Sequence, residues 1–569
     1  MSNLKDSYYT AADALLEALI ESEVSYLFCN LGSDHTAIIE SFAKAEKEGF
    51  TLPEIVLCPH ESVALSAAHG YAMMTGEPQG VFVHTDVGTQ NLGGALHNAY
   101  RGRIPVFIFA GETPLTMNDG IRGGRNSFVN YLQNVYDQNG IVRQYVKWEH
   151  TVKHSQNIKQ LVYRGMQLAK TAPSKPVYLT AAREVLEDTI EKRPNGSKHW
   201  RPVEPPELSN EQIDELLKVI KGAENPVLIT SYFGRKMKAI STLVEFCEMF
   251  AIPVVEQNPG YLNFPRDHHL HVGFASDPFV KEADLILAID VDVPWSFHEI
   301  EPKGDVYYID VDPAKEDIPL WNAPAKKRYF AASHQVIQRL VERGKLVPPD
   351  EEKIHQRKEK ISHIHLDQRK RWEEEIDHGG DTITPAWLSA CIRDVVDEKT
   401  IILDETITNT AHVLKYIPLS TSGSYFGSGG TSLGWNGGAA IGAKLAKPDH
   451  HVISLTGDGS FLFSIPSSVY WMANNYDTPF FTIIYNNKGW NATKMNYLKW
   501  YPEGVATERN KYWVEFDKES RLEKIAEAAG NVYAVEVRHP DEVKSAIERC
   551  YERVKKGQSA VLNVLLPPL

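Results

Sequence analysis

Gly457-Asp458-Gly459-Ser460 directly follows the apolar run HVISLT, and Asn486-Asn487 ends the next run, FFTIIY, with 26 residues between Gly459 and Asn486. If both runs are parallel strands, both groups sit at C-terminal strand edges, where α/β sheets bind ligands. An Asp carboxylate and an Asn amide oxygen are hard donors, suited to Mg²⁺ or Ca²⁺ rather than to a soft metal. Gly459 and Ser460 add backbone and hydroxyl donors at a helix start, the arrangement that binds an anion. Together they describe a metal-bridged diphosphate site. A GDG alone is as readily a tight turn, but a GDG closing one strand and NN closing the next is far more specific.

Such a site needs a parallel sheet, and the chain supplies the pattern three times over. Short apolar runs alternate with helical stretches. EIVLC (54–58), GVFVHT (80–85), IPVFIFAG (104–111) and KPVYLTAA (175–182) read as strands of a first block. NPVLITS (225–231), IPVVEQ (252–257), ADLILAIDVD (283–292) and VYYIDVD (306–312) form a second, and TIILDE (400–405), HVISLTGD (451–458), FFTIIYNN (480–487) and SAVLNVLL (559–566) a third. A Pro-rich, charged stretch at 187–209 reads as a linker. The charge-dense run from about Leu346 to His378 reads as a solvated helical connector. The predicted fold class is therefore α/β, with three consecutive open-sheet domains at 1–185, 204–346 and 381–569.

The 569 residues are 43% hydrophobic and 24% charged, an ordinary globular balance. A net charge of −14 argues against nucleic acid or a membrane surface as partner. No apolar run approaches the ~18 residues a membrane span requires. The N-terminal stretch carries acidic residues and helical periodicity, which fits neither a secretory nor a transit peptide. The five cysteines are scattered without a CxxC pair, so a disulfide framework or zinc site is not expected and a reducing, cytoplasmic location is the default.

The GDG…NN pattern resembles that of the thiamine-diphosphate-dependent enzymes, in the branch of benzoylformate decarboxylase, acetolactate synthase and pyruvate decarboxylase. The resemblance spans nearly the whole chain and implies thiamine diphosphate and Mg²⁺ as cofactors, the metal being held by Asp458, Asn487 and the carbonyl of Gly489. Gly457, Gly459 and Ser460 would line the diphosphate. Pro59-His60-Glu61, after EIVLC, is similar to the family's motif whose glutamate meets N1′ of the aminopyrimidine. Glu61 would thus favour the imino tautomer that removes the C2 proton. Its plain alternative is a Glu at a helix N-terminus favoured by the dipole. In Gly430-Thr431-Ser432-Leu433-Gly434, the resemblance makes Leu433 the residue that bends the cofactor, and the Thr431 carbonyl the acceptor for its 4′-amino group. Glu405–Thr410 resembles the second diphosphate loop, with Thr408 as phosphate donor.

Three further positions look like those of benzoylformate decarboxylase. Asn30-Leu31-Gly32-Ser33 gives Ser33 as a substrate-binding hydroxyl, Val83-His84-Thr85 gives His84, and Phe297-His298-Glu299 gives His298 as a second proton-moving histidine. Histidine suits that task because it titrates near neutral pH. Among 21 histidines many are surface or core residues, which is the plain alternative for both. The implied activity is decarboxylation of a small-molecule 2-keto acid, with some acyloin carboligation. The alternative is an acetolactate synthase-like carboligase, which Leu132-Gln133 resembles. The short middle block between Val272-Gly273 and Ala283-Asp284 leaves out the loop that holds FAD, so no flavin is expected. A coenzyme-A-linked lyase fits less well, because the chain stops soon after its last strand, and a non-catalytic scaffold has no use for Glu61, Asp458 and Asn487. The resemblance also implies an obligate homodimer, assembled as a dimer of dimers, with each cofactor between the first domain of one subunit and the third of its partner.

Overall fold

The computed structural model describes residues 8–117, 120–376, 380–516, 518 and 520–568. Three wholly parallel sheets follow one another along the chain. The first runs, in spatial order, Glu54–Leu57, Tyr26–Cys29, Gly80–Val83, Phe107–Glu112, Val177–Ala182 and Trp148–Thr151. The second, five-stranded, runs Lys327–Phe330, Asp305–Asp310, Leu285–Ile289, Pro226–Thr230 and Val254–Glu256. The third runs Tyr425–Gly427, Thr400–Glu405, His451–Gly457, Phe481–Asn486, Ser559–Leu565 and Val532–Val537. Strands in the middle of each sheet are buried throughout, which is why they read as unbroken apolar runs rather than alternating ones.

Parallel register gathers the strand ends on one edge. Glu405 pairs with Thr456, and Gly457 with Tyr485, so the loops after three neighbouring strands emerge side by side. In the first sheet Cys29 pairs with both Leu57 and Phe82, which brings the segments holding Ser33, Glu61 and His84 to a common edge.

The first and third domains meet through two small-residue helices, Glu61–Thr75 and Asn436–Ala446. A Cβ on Gly442 would lie 1.9 Å from the Ala67 carbonyl oxygen, and one on Gly70 would lie 2.2 Å from that of Ala439. Only glycine permits this backbone approach. One apolar core runs through both domains, while the central domain has its own.

The charged connector forms the helix Glu351–Glu374. It is not solvated all round, because Arg357, Ile361, His365 and Trp372 make a buried stripe at helical spacing. Arg357 donates to the Phe250 carbonyl at 3.0 Å, and His365 Nδ1 bonds the His271 carbonyl at 2.8 Å. Long basic side chains carry their stems into such a seam while the opposite face stays wet. Among the described residues no helix is long and apolar enough to cross a membrane.

Candidate active site

A cavity of about 370 Å³ opens at the C-terminal edge of the third sheet. Its walls come from three strand ends: Thr406–Thr408, Gly457–Ser460, and Asn487 with Gly489–Thr493, and Leu433 closes it from a fourth segment. Asp458 is buried at its floor and begins the helix Asp458–Phe463. One carboxylate oxygen accepts from Gly459 N–H at 2.7 Å, the other from Gly489 N–H at 2.8 Å. Burial pushes its pKa up to about 6, against those N–H donors. Among the described residues no cationic side chain forms an ion pair with it. Asn487 donates to Thr408 Oγ1 at 3.3 Å, which ties the two phosphate-side loops together. A Cβ on Gly459 would sit 2.5 Å from Trp490 Nε1, so a larger residue in the GDG turn would have to displace that side chain.

Two residues beside the candidate groups hold a positive φ. Ile407, a β-branched residue, has φ +54°, and Thr85, next to His84, has φ +42°. Such conformations cost about 1–3 kcal/mol each and persist only where the surroundings impose them.

The first sheet builds a second cluster. Glu61 opens its helix, is 7% exposed, and accepts from Asn91 Nδ2 at 2.9 Å. Gly88 packs so close that a Cβ there would lie 3.1 Å from Glu61 Oε1. His84 is half-buried against the backbone of Gly32, where a Cβ would come within 2.1 Å of its Nδ1. Its Nδ1 lies 2.5 Å from Asp34 Oδ1, and Asp34 also accepts from Thr85 N–H at 3.2 Å. The hydrogen bond to Asp34 raises the His84 pKa against the effect of burial, with Gln133 adding to it. Burial opposes ionisation of Asp34, yet His35 and His84 hold its carboxyl well below the usual range. With Nδ1 tied to Asp34, proton exchange by His84 falls to Nε2. Ser33 stands exposed in the same turn as Asp34.

Ser33, Glu61 and His84 thus share one sheet edge, while Thr408, Leu433, Asp458 and Asn487 share one cavity. Glu61 does not line that cavity within its own chain. Thr431 lies outside the cavity lining, its hydroxyl 3.0 Å from His97 Nε2. His298 is set apart, 75% exposed on the central domain and 3.2 Å from Glu299. Glu299 in turn meets Lys499 at 3.3 Å, on the helix Asn491–Trp500 that leaves the cavity. The sequence reading overlooked Asp34, although it adjoins Ser33, because an Asp in a turn is common. Asn91 carried no signal at all.

Comparison with known proteins settles the family. The thiamine pyrophosphate enzyme N-terminal TPP binding domain matches residues 9–141, the central domain 213–336, and the C-terminal TPP binding domain 407–564. The chain belongs to the thiamine pyrophosphate enzyme family. It is 26% identical over 542 residues to a probable acetolactate synthase large subunit of Methanocaldococcus jannaschii, covering 90% of this chain and 85% of that one. It is 25% identical over 508 residues to benzoylformate decarboxylase of Pseudomonas aeruginosa, covering 86% and 88%. The fold is that of a thiamine diphosphate-dependent 4-hydroxybenzoylformate decarboxylase of Rhodococcus jostii, with a TM-score of 0.80, 22% identity and 99% of each chain covered.

The residues present fit this family's cofactor. A buried carboxylate lacking a cationic partner, with an amide oxygen on the neighbouring loop, is a donor set for a hard divalent cation. The hydroxyls of Thr408 and Ser460 and the glycine turn at 457–459 provide for a diphosphate.

Proposed function

We propose that the protein decarboxylates a 2-keto acid with thiamine diphosphate and Mg²⁺. The observation that carries this reading is the convergence of Thr408, Leu433, Asp458 and Asn487 on one cavity. Asp458, Asn487 and the Gly489 carbonyl would hold the metal, and Thr408 and Ser460 the diphosphate. When bound, thiamine diphosphate would supply the nucleophilic carbon and the electron sink that decarboxylation of a 2-keto acid requires. Glu61, held by Asn91, would face the aminopyrimidine with its acid proton, and the Thr431 carbonyl would accept from that ring's amino group. Ser33 orients the substrate carboxylate. His84 moves a proton at Nε2 while Asp34 keeps its ring in place, and His298 serves as a second proton-moving group.

The same reading makes the enzyme a homodimer, assembled further as a dimer of dimers. Glu61 and Asp458 then act on one cofactor from different chains, in keeping with the absence of Glu61 from its own chain's cavity lining. Large apolar side chains stand exposed on both domains concerned, among them Leu132 and Tyr136 on the first and Trp500 and Trp513 on the third. Burying such side chains on association would be favourable. The domain limits 1–185, 204–346 and 381–569 belong to this proposal.

The reading has no place for FAD. At the central sheet's C-terminal edge, Asp292 and Asp310 are paired to Arg103, at 2.9 Å each, and to Lys315. A dinucleotide there would find Arg103 and Lys315 already engaged by carboxylates rather than free to meet its phosphates.

A second reading, carboligation like that of acetolactate synthase, draws on the similarity to acetolactate synthase large subunits and on Gln133 beside His84. One experiment tests both. The purified protein is incubated with thiamine diphosphate, Mg²⁺ and a panel of 2-keto acids, and CO₂, aldehydes and acyloins are measured. Aldehyde as main product supports decarboxylation, and acetolactate or other acyloins support the second reading. No CO₂ from any of the acids would refute both.

A further inference from the structure

Leu433 sits in a glycine-rich segment whose composition alone would leave it loose. Gly430 and Gly434 flank it, and Gly434 has φ +90°. Yet the backbone on both sides of Leu433 is gripped by side chains from elsewhere in the chain. Before it, Asn98 forms a two-point amide contact with Ser432. Ser432 N–H donates to Asn98 Oδ1 at 2.9 Å, and Asn98 Nδ2 donates to the Ser432 carbonyl at 2.8 Å. After it, the Glu405 carboxylate accepts from Gly434 N–H at 2.5 Å and from Asn436 N–H at 2.9 Å.

Both gripping side chains are buried, Asn98 at 1% and Glu405 at 4% exposure. They come from different domains. Asn98 lies on the helix Gly93–Arg101 of the first domain, and Glu405 ends the strand Thr400–Glu405 of the third. The fit around Asn98 is close. A Cβ on Gly430 would lie 2.4 Å from Asn98 Oδ1, and one on Gly94 would lie 2.3 Å from Ser432 Oγ. Glu405 directly precedes the cavity-lining Thr406–Thr408. Its register partner Thr456 directly precedes Gly457, so the residue whose carboxylate holds the Leu433 segment stands at the start of one phosphate-side loop and beside the other.

We infer that Asn98 and Glu405 are positioning residues which clamp the segment Thr431–Asn436 from two sides and so set where Leu433 meets the cofactor. The inference rests on the cofactor assignment proposed above. Neither side chain touches reacting atoms. Each fixes two backbone groups within three residues of Leu433, from a side chain that is itself buried. An unclamped glycine-rich loop would let Leu433 retreat, and misplacement on the order of 1 Å near a reacting centre costs up to about a hundredfold in rate. Because one arm comes from the first domain, cofactor geometry in the third depends on how the two domains of one chain dock.

Two isosteric substitutions test the clamp. Asn98→Asp keeps the acceptor for Ser432 N–H but sets an oxygen against the Ser432 carbonyl. Glu405→Gln keeps one acceptor and turns an NH₂ toward the other N–H. For each variant, calorimetry gives the affinity for thiamine diphosphate with Mg²⁺, NMR gives the rate of deuterium exchange at C2 of the bound cofactor, and calorimetric melting gives stability. The expected result is an affinity within about threefold of wild type and C2 exchange slowed by roughly tenfold to a hundredfold. Leu433→Ala should slow exchange by itself, and adding Asn98→Asp to it should slow exchange little further, since both act through one contact.

Wild-type exchange rates in both single variants would overturn the clamp, and so would effects that multiply with Leu433→Ala. If one variant fails to fold, the other still decides, since each holds a different side of the segment. If both melt as apo-proteins, the residues hold the fold rather than the segment and the inference falls. Failure of the wild-type protein to bind thiamine diphosphate would instead remove the cofactor assignment on which it rests.

Discussion

Asp34 Oδ1 stands 2.5 Å from His84 Nδ1, joining the turn after one strand of the first sheet to the end of its neighbour. The contact fixes which face of the imidazole is free and raises its pKa. It also places a buried negative charge behind a group proposed to carry a proton.

Removal of that charge has a signed consequence. Asp34→Asn takes away the main cause of the raised His84 pKa, so the imidazolium is lost at lower pH. The alkaline limb of kcat/KM should shift to lower pH, with activity at neutral pH reduced by roughly a hundredfold. The pH–rate profiles of both proteins check this, and an unmoved alkaline limb would separate His84 from the proton transfer.

The same pair links stability to pH at both ends. His84, raised in the folded state, stabilises most below its unfolded pKa of about 6.5, and that contribution is lost as pH rises through the folded value. Asp34, lowered in the folded state, stabilises above its unfolded pKa of about 3.9, and that contribution is lost as pH falls through the folded value. Asp34→Asn should therefore flatten the denaturant-midpoint profile between acid and neutral pH. Equal slopes in the two proteins would mean that the contact is not coupled to folding.

Glu61→Gln keeps the size and the Asn91 contact of residue 61 while removing the acid. Turnover should fall by about 10²–10⁴-fold with cofactor affinity nearly unchanged. Steady-state rates beside calorimetric titration separate the two effects, and near-normal turnover would deprive Glu61 of its role.

Asp458→Asn is isosteric and removes what is, among the described residues, the only charged side chain lining the cavity. Thiamine diphosphate with Mg²⁺ at about a hundred times Kd should stabilise wild type by about 2.7 kcal/mol. Both this substitution and chelation of the metal should abolish that stabilisation. A retained melting shift in either case would place the metal elsewhere.

Gly442→Ala sets a methyl 1.9 Å from the Ala67 carbonyl oxygen, in the seam between the first and third domains. Neither backbone can yield locally, so a loss of about 1–3 kcal/mol is expected in denaturant unfolding. Wild-type stability would show that the helices of the two domains can separate without cost.

The repeated apolar runs, being buried on both faces, made the three sheets legible without coordinates. GDG and NN were legible because their chemistry lies in consecutive residues at strand ends. Tyr26–Cys29, Trp148–Thr151, Lys327–Phe330, Tyr425–Gly427 and Val532–Val537 were not read as strands, and four of the five lie at a sheet edge, where polar residues break or bound the apolar run. The buried stripe of the helix Glu351–Glu374 was hidden because two of its four members, Arg357 and His365, are polar and are satisfied by carbonyls of another element.

Residue types and their order along single strands and turns thus determined the α/β class and marked GDG and NN as a candidate site, and the resemblance singled out Glu61 and His84. Which side chains touch was decided only by the tertiary structure. Asp34 with His84, Asn91 with Glu61, and Asn98 with Ser432 are 50, 30 and 334 residues apart. A hydrogen bond depends on distance in space, and a single sequence records distance only along the chain.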